Sequence, residues 1–288
     1  MKRMNWFYGA LLLLLTCLPL LGFAETNKTI SSVPEGIAGE TAVASPSAAS
    51  LKDSCPMAGN FQGAVGIYAK NLKTGQVLTL NPDDVFAAAS TVKVPVSVII
   101  YRHFYSQSNP NVREDYDVGI ELMMTISDNE YFAEFLDEIE DSISSEVIQQ
   151  HFALLGMEHT TIRDPQARDV YGYSNVTTAR DMGVFFEQFY LGKLIDAEKT
   201  NFMKDAMTDT AFEDELPRYM QNRRVIHKVG ELDDVLADVG IVEGESGPVL
   251  ISIFTETPLD IDYASDYIAA VSACVYQCLS GETTAWQR

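Results

Sequence analysis

The order of periodicities constrains this chain more than any other feature: strand-like runs near both ends enclose a long middle of helical spacing. At the front, 64–69 is a short apolar run and Asn71-Leu72-Lys73-Thr74-Gly75 reads as a turn. Residues 76–80 then alternate polar and apolar, completing a hairpin. Toward the other end, 224–228, 235–242 and 249–255 are strand-like, with Gly244-Glu245-Ser246-Gly247 punctuating the last two. Between the two β sections, 92–104, 118–125, 131–139, 145–155, 178–191 and 198–207 carry apolar residues at helical period. After Pro258 the helical pattern returns over 263–279 through Ile268, Val271, Val275 and Leu279, and it stops before Gly281. This order fits an α/β (α+β) fold, an antiparallel five-stranded sheet flanked by helices with an all-helical lobe inserted midway. A cleft between lobes is the natural place for a site. No internal repeat appears, and 288 residues at 47% hydrophobic suffice for one sizeable core.

The first 50 residues read differently. Lys2 and Arg3 precede a nearly uniform apolar run from Trp6 to Leu21, and Gly22-Phe23-Ala24 offers a small-x-small cleavage site. Residues 1–24 are therefore expected to be an export signal. An uncleaved anchor and a lipoprotein signal at Leu14-Leu15-Thr16-Cys17 are the rival readings, and both would tether the chain to a membrane. Each places the folded part outside the cytoplasm, secreted or at a bacterial cell surface. Residues 25–50 are rich in Ser, Thr, Ala, Glu, Gly and Pro, and read as a flexible linker because too little apolar surface is available to offset ordering. The folded domain is expected over 51–288.

Charge and cysteines narrow the partners. A formal net charge of −21 repels nucleic acid and anionic headgroups, so neither is an expected partner. Outside the signal, Cys55, Cys274 and Cys278 remain; the last two lie four apart on one helix face, and either could pair with Cys55. Three small buried apolar residues is the alternative. His103, His151, His159 and His227 show no metal-ligand spacing, so neither a metal nor an organic cofactor is expected. A monomer is expected.

Three segments carry chemistry. In Ala88-Ala89-Ser90-Thr91-Val92-Lys93-Val94-Pro95, small residues lead a hydroxyl into a helix start, with Lys93 three residues on along the same face. A helix N-terminus favours a reacting alkoxide and disfavours a buried ammonium, and a neutral lysine can take the serine proton. In Met124-Thr125-Ile126-Ser127-Asp128-Asn129-Glu130, a polar Ser-Asp-Asn lies between two apolar helical patterns. Ser127 could relay a proton to a leaving nitrogen and Asn129 could hold a substrate amide. In Val225-Ile226-His227-Lys228-Val229-Gly230-Glu231, a strand ends in Lys-x-Gly, with Lys228 a charge for a substrate carboxylate and Gly230 allowing close backbone approach. Taken singly, these are an N-cap, an interhelical turn and an edge-strand charge.

Taken together and in this order, they resemble the Ser-x-x-Lys, Ser-Asp-Asn and Lys-Thr-Gly signature of class A β-lactamases and penicillin-binding proteins. The resemblance runs from about Ala64 to the last helix and implies that family's two-lobed fold. It implies that Ser90 is acylated, that Lys93 and Ser127 move its proton, and that Asn129, Lys228 and Gly230 bind substrate. The backbone N–H groups of Ser90 and Glu231 would form the oxyanion hole. The implied substrate is a β-lactam or a cell-wall peptide amide of D-Ala-D-Ala type.

The chain also departs from the family. Class A β-lactamases carry a Glu-x-x-Leu-Asn loop whose glutamate activates the deacylating water. The matching stretch here, Ile162-Arg163-Asp164-Pro165-Gln166-Ala167-Arg168-Asp169 and on to Asn175, has no glutamate and looks shortened. Asp164 or Asp169 could substitute only if placed to within about an ångström. Val229 replaces the usual threonine, and Glu231 sets a carboxylate beside the expected position of a substrate carboxylate. The span from Ser90 to Ser127 is shorter than in a β-lactamase. The expectation is a serine hydrolase that acylates and deacylates slowly. A β-lactamase with an atypical deacylation base and a non-catalytic module binding wall fragments are the alternatives.

Overall fold

Alternation along the terminal strands builds the sheet. The computed structural model describes residues 51–142 and 145–286. The expected signal segment 1–24 and linker 25–50 lie outside the described residues. A short α1 (Leu51–Ser54) precedes β1 (Ala64–Asn71), β2 (Val77–Leu80) and β3 (Val85–Ala87). The helical section follows: α2 (Lys93–His103), α3 (Pro110–Thr125), α4 (Glu130–Ser142), α5 (Ser145–Leu154) and α6 (Pro165–Tyr171). Then come β4 (Val176–Thr178), α7 (Ala179–Tyr190), α8 (Ala197–Thr208), β5 (Val225–Glu231), β6 (Val235–Val242), β7 (Val249–Glu256) and α9 (Ile261–Ser280).

The main sheet has five antiparallel strands in the order β2-β1-β7-β6-β5. β6 is buried along its whole length, which is why its sequence reads as a continuous apolar run. One face packs on α7 and, beyond it, on the core of the helical section through Tyr68, Phe86, Val239 and Phe254. The other packs on α9 and α1 through Ile67, Ile251, Ile268 and Val275. β5 forms an edge, and that edge faces the start of α2.

Several elements differ from the sequence reading. α3 begins at Pro110 rather than 118, because Asn109 caps it by accepting from Asn111 N and Val112 N, with proline at the first helical position. α6 occupies the segment read as a loop, capped by Asp164 through Gln166 N at 2.8 Å and closed by Gly172 at φ 83°. β3 and β4 pair in a small separate sheet; three residues are too few to show alternation.

The cysteine alternatives resolve in favour of a bridge between Cys55 and Cys274 with Cα atoms 6.1 Å apart, joining α1 to α9. Cys278 Sγ donates to Ser54 O at 3.3 Å. Folding also brings two histidines together that sequence spacing keeps apart: His103 Nε2 and His151 Nε2 share a hydrogen bond of 2.8 Å between α2 and α5. Among the described residues no third His, Cys, Asp or Glu completes a metal-binding group there.

Candidate active site

The Ser90 turn is fixed by strain and by contact. Ala89 adopts the left-handed conformation at φ 44°, unusual for a residue with a side chain, and opens a 3-10 turn Ala89–Val92 that runs into α2. Ala88 N donates to Asn175 O at 2.9 Å, while Thr91 N and Oγ1 donate to Ala88 O. β5 presses against this turn at Gly230. A Cβ there would lie 3.0 Å from both Ala89 Cβ and Ser90 N and 3.1 Å from Thr91 Cγ2. The glycine thus first serves the approach of the strand to Ser90. Pro95 sits in the first turn of α2, where its missing N–H costs little.

The first two motifs meet on the Lys93 ammonium, and the third joins them at Ser127 through Lys228. Its Nζ lies 3.0 Å from Ser90 Oγ, 2.6 Å from Ser127 O, 3.1 Å from Ser127 Oγ and 2.7 Å from Asn129 Oδ1. Lys93 is 1% exposed, and loss of water pushes its pKa down to about 8, with nearby Asp128 opposing. Lys228 is equally enclosed. Its Nζ donates to Ser127 Oγ and to Val229 O, each at 2.9 Å. Burial foremost, and then the neighbouring Lys93 charge, bring it down to about 7.

Ser127 is held between the two lysines in a left-handed conformation at φ 59°. A hydroxyl has two lone pairs and one proton. Both lone pairs of Ser127 Oγ are engaged by lysine N–H groups, so its own proton is free to point elsewhere. In the same way Asn129 spends its carbonyl oxygen on Lys93 and keeps its amide N–H groups for the cleft.

The strand register assigns the direction of the Glu231 amide. Leu232 and Val235 exchange both backbone hydrogen bonds across the β5–β6 turn. Antiparallel pairs alternate, so Gly230↔Ala237 is again hydrogen-bonded while Glu231↔Leu236 and Val229↔Asp238 are not. The Glu231 N–H therefore points off the free edge of the sheet, as the Val229 carbonyl does toward Lys228.

A cleft of ≈480 Å³ opens over this group. Ser90, Lys93, Asn129 and Glu231 line it; Ser127, Lys228 and Gly230 are not among its lining residues. Sequence reasoning missed Phe132, Arg168, Tyr173 and Asn175, which line it as well. Of these, only the Tyr-Gly-Tyr stretch had a local signal, the glycine that caps α6. Asp164 is spent on that cap, and Asp169 is exposed and outside the lining. The α6 segment instead brings Arg168 to the cleft, and Tyr173 Oη crosses to Asp234 Oδ1 at 2.7 Å on the β5–β6 turn. A larger hollow of ≈950 Å³ around Arg223 and Glu282 contains none of the three motifs.

The family model described as the Beta-lactamase enzyme family matches residues 48–110 and 108–279. No curated protein sequence matches. Similar solved structures include a beta-lactamase from Sphaerobacter thermophilus, with TM-score 0.68, 20% identity, and coverage of 81% of this chain and 97% of that one. A mutant of PBP-A, as an acyl-enzyme complex with penicillin G, gives TM-score 0.69 and 23% identity over 82% of this chain and 100% of that one. A representative class A beta-lactamase from Bacteroides cellulosilyticus gives 0.67 and 16% over 80% and 97%. At these identities the likeness shows the fold.

Proposed function

Since this chain belongs to the Beta-lactamase enzyme family, and so is a serine hydrolase of the β-lactamase and penicillin-binding type, we propose that Ser90 is its acylated nucleophile and that deacylation is slow. The observation that carries the reading is the Lys93 Nζ at 3.0 Å from Ser90 Oγ, buried and shifted toward neutrality. In this mechanism Ser90 Oγ attacks the amide carbonyl as its proton passes to neutral Lys93. The N–H groups of Ser90 and Glu231 take the charge developing on the carbonyl oxygen; losing one such donor typically costs about 2.7–4 kcal/mol of barrier. As the C–N bond breaks, Ser127 gives its outward proton to the departing nitrogen. It is reprotonated from Lys93, which returns to the neutral state. Asn129 holds the acyl-side amide.

Slow release of the acyl group is supported by the α6 segment, which brings a guanidinium rather than a carboxylate to the cleft. Water there has no anionic side chain of that segment to take its proton. The substrate is a small molecule of β-lactam type or a wall peptide of D-Ala-D-Ala type. Export is part of the proposal, and the Cys55–Cys274 bridge favours an oxidising compartment.

Intact-mass spectrometry with benzylpenicillin tests the reading. A persistent adduct on Ser90, absent in Ser90→Ala, is the expected result. Destruction of the drug without an adduct would mean efficient deacylation and remove the second half of the proposal. No adduct with the drug intact would remove the first half and favour a binding module.

A further inference from the structure

Ser127 and Lys228 mark the side of Ser90 from which a leaving group departs. Near them a second hollow, of ≈550 Å³, lies beside Val229 and Glu231 of β5, walled by the 211–218 segment and the start of α9. Glu231 borders both this hollow and the serine cleft, and Phe212, whose ring centroid is 5.4 Å from Lys228 Nζ, lines its near end. Because it meets the serine cleft at Glu231, the hollow is open to substituents on the leaving atom.

Its charges are lopsided. Arg218 is the basic residue among Asp214, Glu215, Glu231, Asp262 and Asp266. The Arg218 guanidinium is already engaged, donating to Asp266 Oδ1 at 2.5 Å and Ser265 Oγ at 2.8 Å. Glu215 is buried and already accepts from the Ser265 hydroxyl at 2.8 Å, and burial raises its pKa. The exposed carboxyl groups of Asp214, Glu231 and Asp262 remain.

The strand edge offers an anion nothing in return. Val229 has only methyl groups, and in the β5–β6 register it stands opposite Asp238, another acid, whose carboxylate is spent on His227 Nδ1 and Leu216 N. Lys228 is 1% exposed, with its N–H groups directed to Ser127 Oγ and Val229 O.

We propose that the serine cleft selects acyl donors whose leaving-group side is positively charged, and that Glu231 is the specificity-determining residue. This rests on Ser90 being the acylated nucleophile. A peptide amide with a basic residue after the scissile bond fits this edge better than a penicillin or a terminal D-Ala-D-Ala, whose carboxylates would face Glu231; those two donors acylate Ser90 less efficiently. A misplaced like charge is a strong discriminator because its penalty falls on only one class of donor.

The test uses thioesters of N-acetyl-D-alanine that share one acyl half and differ in the thiol: thiocholine (cationic), 2-mercaptoethanol (neutral) and 3-mercaptopropionate (anionic). In each, the bond from Ser90 Oγ to the acyl carbon forms, the C–S bond breaks, and the serine proton leaves with the thiol. Thiol release gives kcat/KM. Intrinsic leaving-group reactivity cancels when the cationic-to-anionic ratio of the protein is divided by that of Glu231→Gln. That quotient is expected to be ~10, since one charge acts with opposite sign on the two esters. Asp214→Asn and Asp262→Asn, off the strand, lower the ratio by smaller factors, so the outcome does not hang on one variant. A quotient within twofold of unity overturns the selectivity and leaves the nucleophile standing. Penicillin labelling of Ser90 with the cationic ester inert also overturns it. If neither esters nor penicillin acylate Ser90, the functional reading falls and this one with it.

Discussion

In the proposed mechanism the Ser90 proton has one basic destination within hydrogen-bonding distance, Lys93, whose pKa sets how acylation depends on pH. With Lys93 near 8, the neutral fraction is about 10% at pH 7 and about 50% at pH 8. The acylation rate should therefore climb about tenfold above its pH 7 value and level off above pH 9. A lysine near its ordinary value would be ~0.04% neutral at pH 7, and the logarithm of the rate would rise with unit slope through pH 9 without bending. Asp128 raises the Lys93 pKa by charge, opposing burial. Its Oδ1 also accepts from Tyr131 N at 2.9 Å, a role an asparagine oxygen can keep. Asp128→Asn should thus preserve the start of α4 and move the bend below 8. The assay is single-turnover acylation by benzylpenicillin at saturating concentration between pH 6 and 9.5, followed by intact mass. Saturation separates the chemical step from any loss of Lys228 charge, which titrates near 7. A straight profile, or a bend that moves upward in Asp128→Asn, refutes Lys93 as the base. The same shift has a sign for stability. Between about 8 and 10.5 the unfolded chain binds a proton that native Lys93 does not, so stability rises with pH across that window and its low-pH side is the penalised one.

Other outcomes follow from named contacts. Gly230→Ala forces a methyl against Ala89 Cβ and Ser90 N at 3.0 Å; it should cost about 1–3 kcal/mol of stability and slow acylation by roughly 10- to 100-fold, read by thermal melting and adduct formation. Tyr173→Phe removes the hydrogen bond to Asp234 that joins the α6 segment to the β5–β6 turn; KM should rise about fivefold, more than kcat changes, with Tm nearly constant. Replacing Cys55 and Cys274 by serine frees a loop spanning 219 residues; a loss of about 2–4 kcal/mol is expected, seen as a Tm lowered by roughly 4–16 °C.

What was legible in the sequence was what local chemistry determines. The strands of the main sheet announce themselves because β1, β6 and β7 are buried over most of their length, and α9 because its apolar residues keep helical spacing up to Gly281, which caps its end; the Asp260 cap at its start went unread. Ser90, Lys93, Ser127, Asn129 and Lys228 were recognisable because their order along the chain is itself a signature, and the fold joins them through the Lys93 and Lys228 ammonium groups. The opposite wall was not legible. Arg168, Phe132 and Tyr173 reach the cleft from α6, α4 and the segment after α6, and nothing in their neighbours along the chain says which way those elements turn. The His103–His151 pair was invisible for the same reason, being set by the packing of α2 on α5.

The two walls of the cleft are tied down by different residues, and this bears on which half of the proposed reaction can change without the other. On the acylating side, Ala89 and Ser127 sit in left-handed backbone at about 1–2 kcal/mol each, and two lysines are stripped of water. Such an arrangement persists only where its surroundings over-determine it. β5 pins the Ala89 turn through Gly230, Asn175 O holds Ala88 N, and Lys93 ties both reacting serines to Asn129. Strand, loop and two helices would all have to shift for Ser90 to lose its position. On the α6 side the ties are as numerous but involve neither lysine: the Asp164 cap, Asp164 N on Ser174 O, Arg163 on Asn175 Oδ1, Asp137 and Glu140, and the Tyr173–Asp234 bridge. Residues there can exchange a carboxylate for a guanidinium without disturbing the lysines or the serine turn. A scaffold so divided can keep acylation while its handling of water changes, which is the combination proposed for Ser90 and the α6 segment.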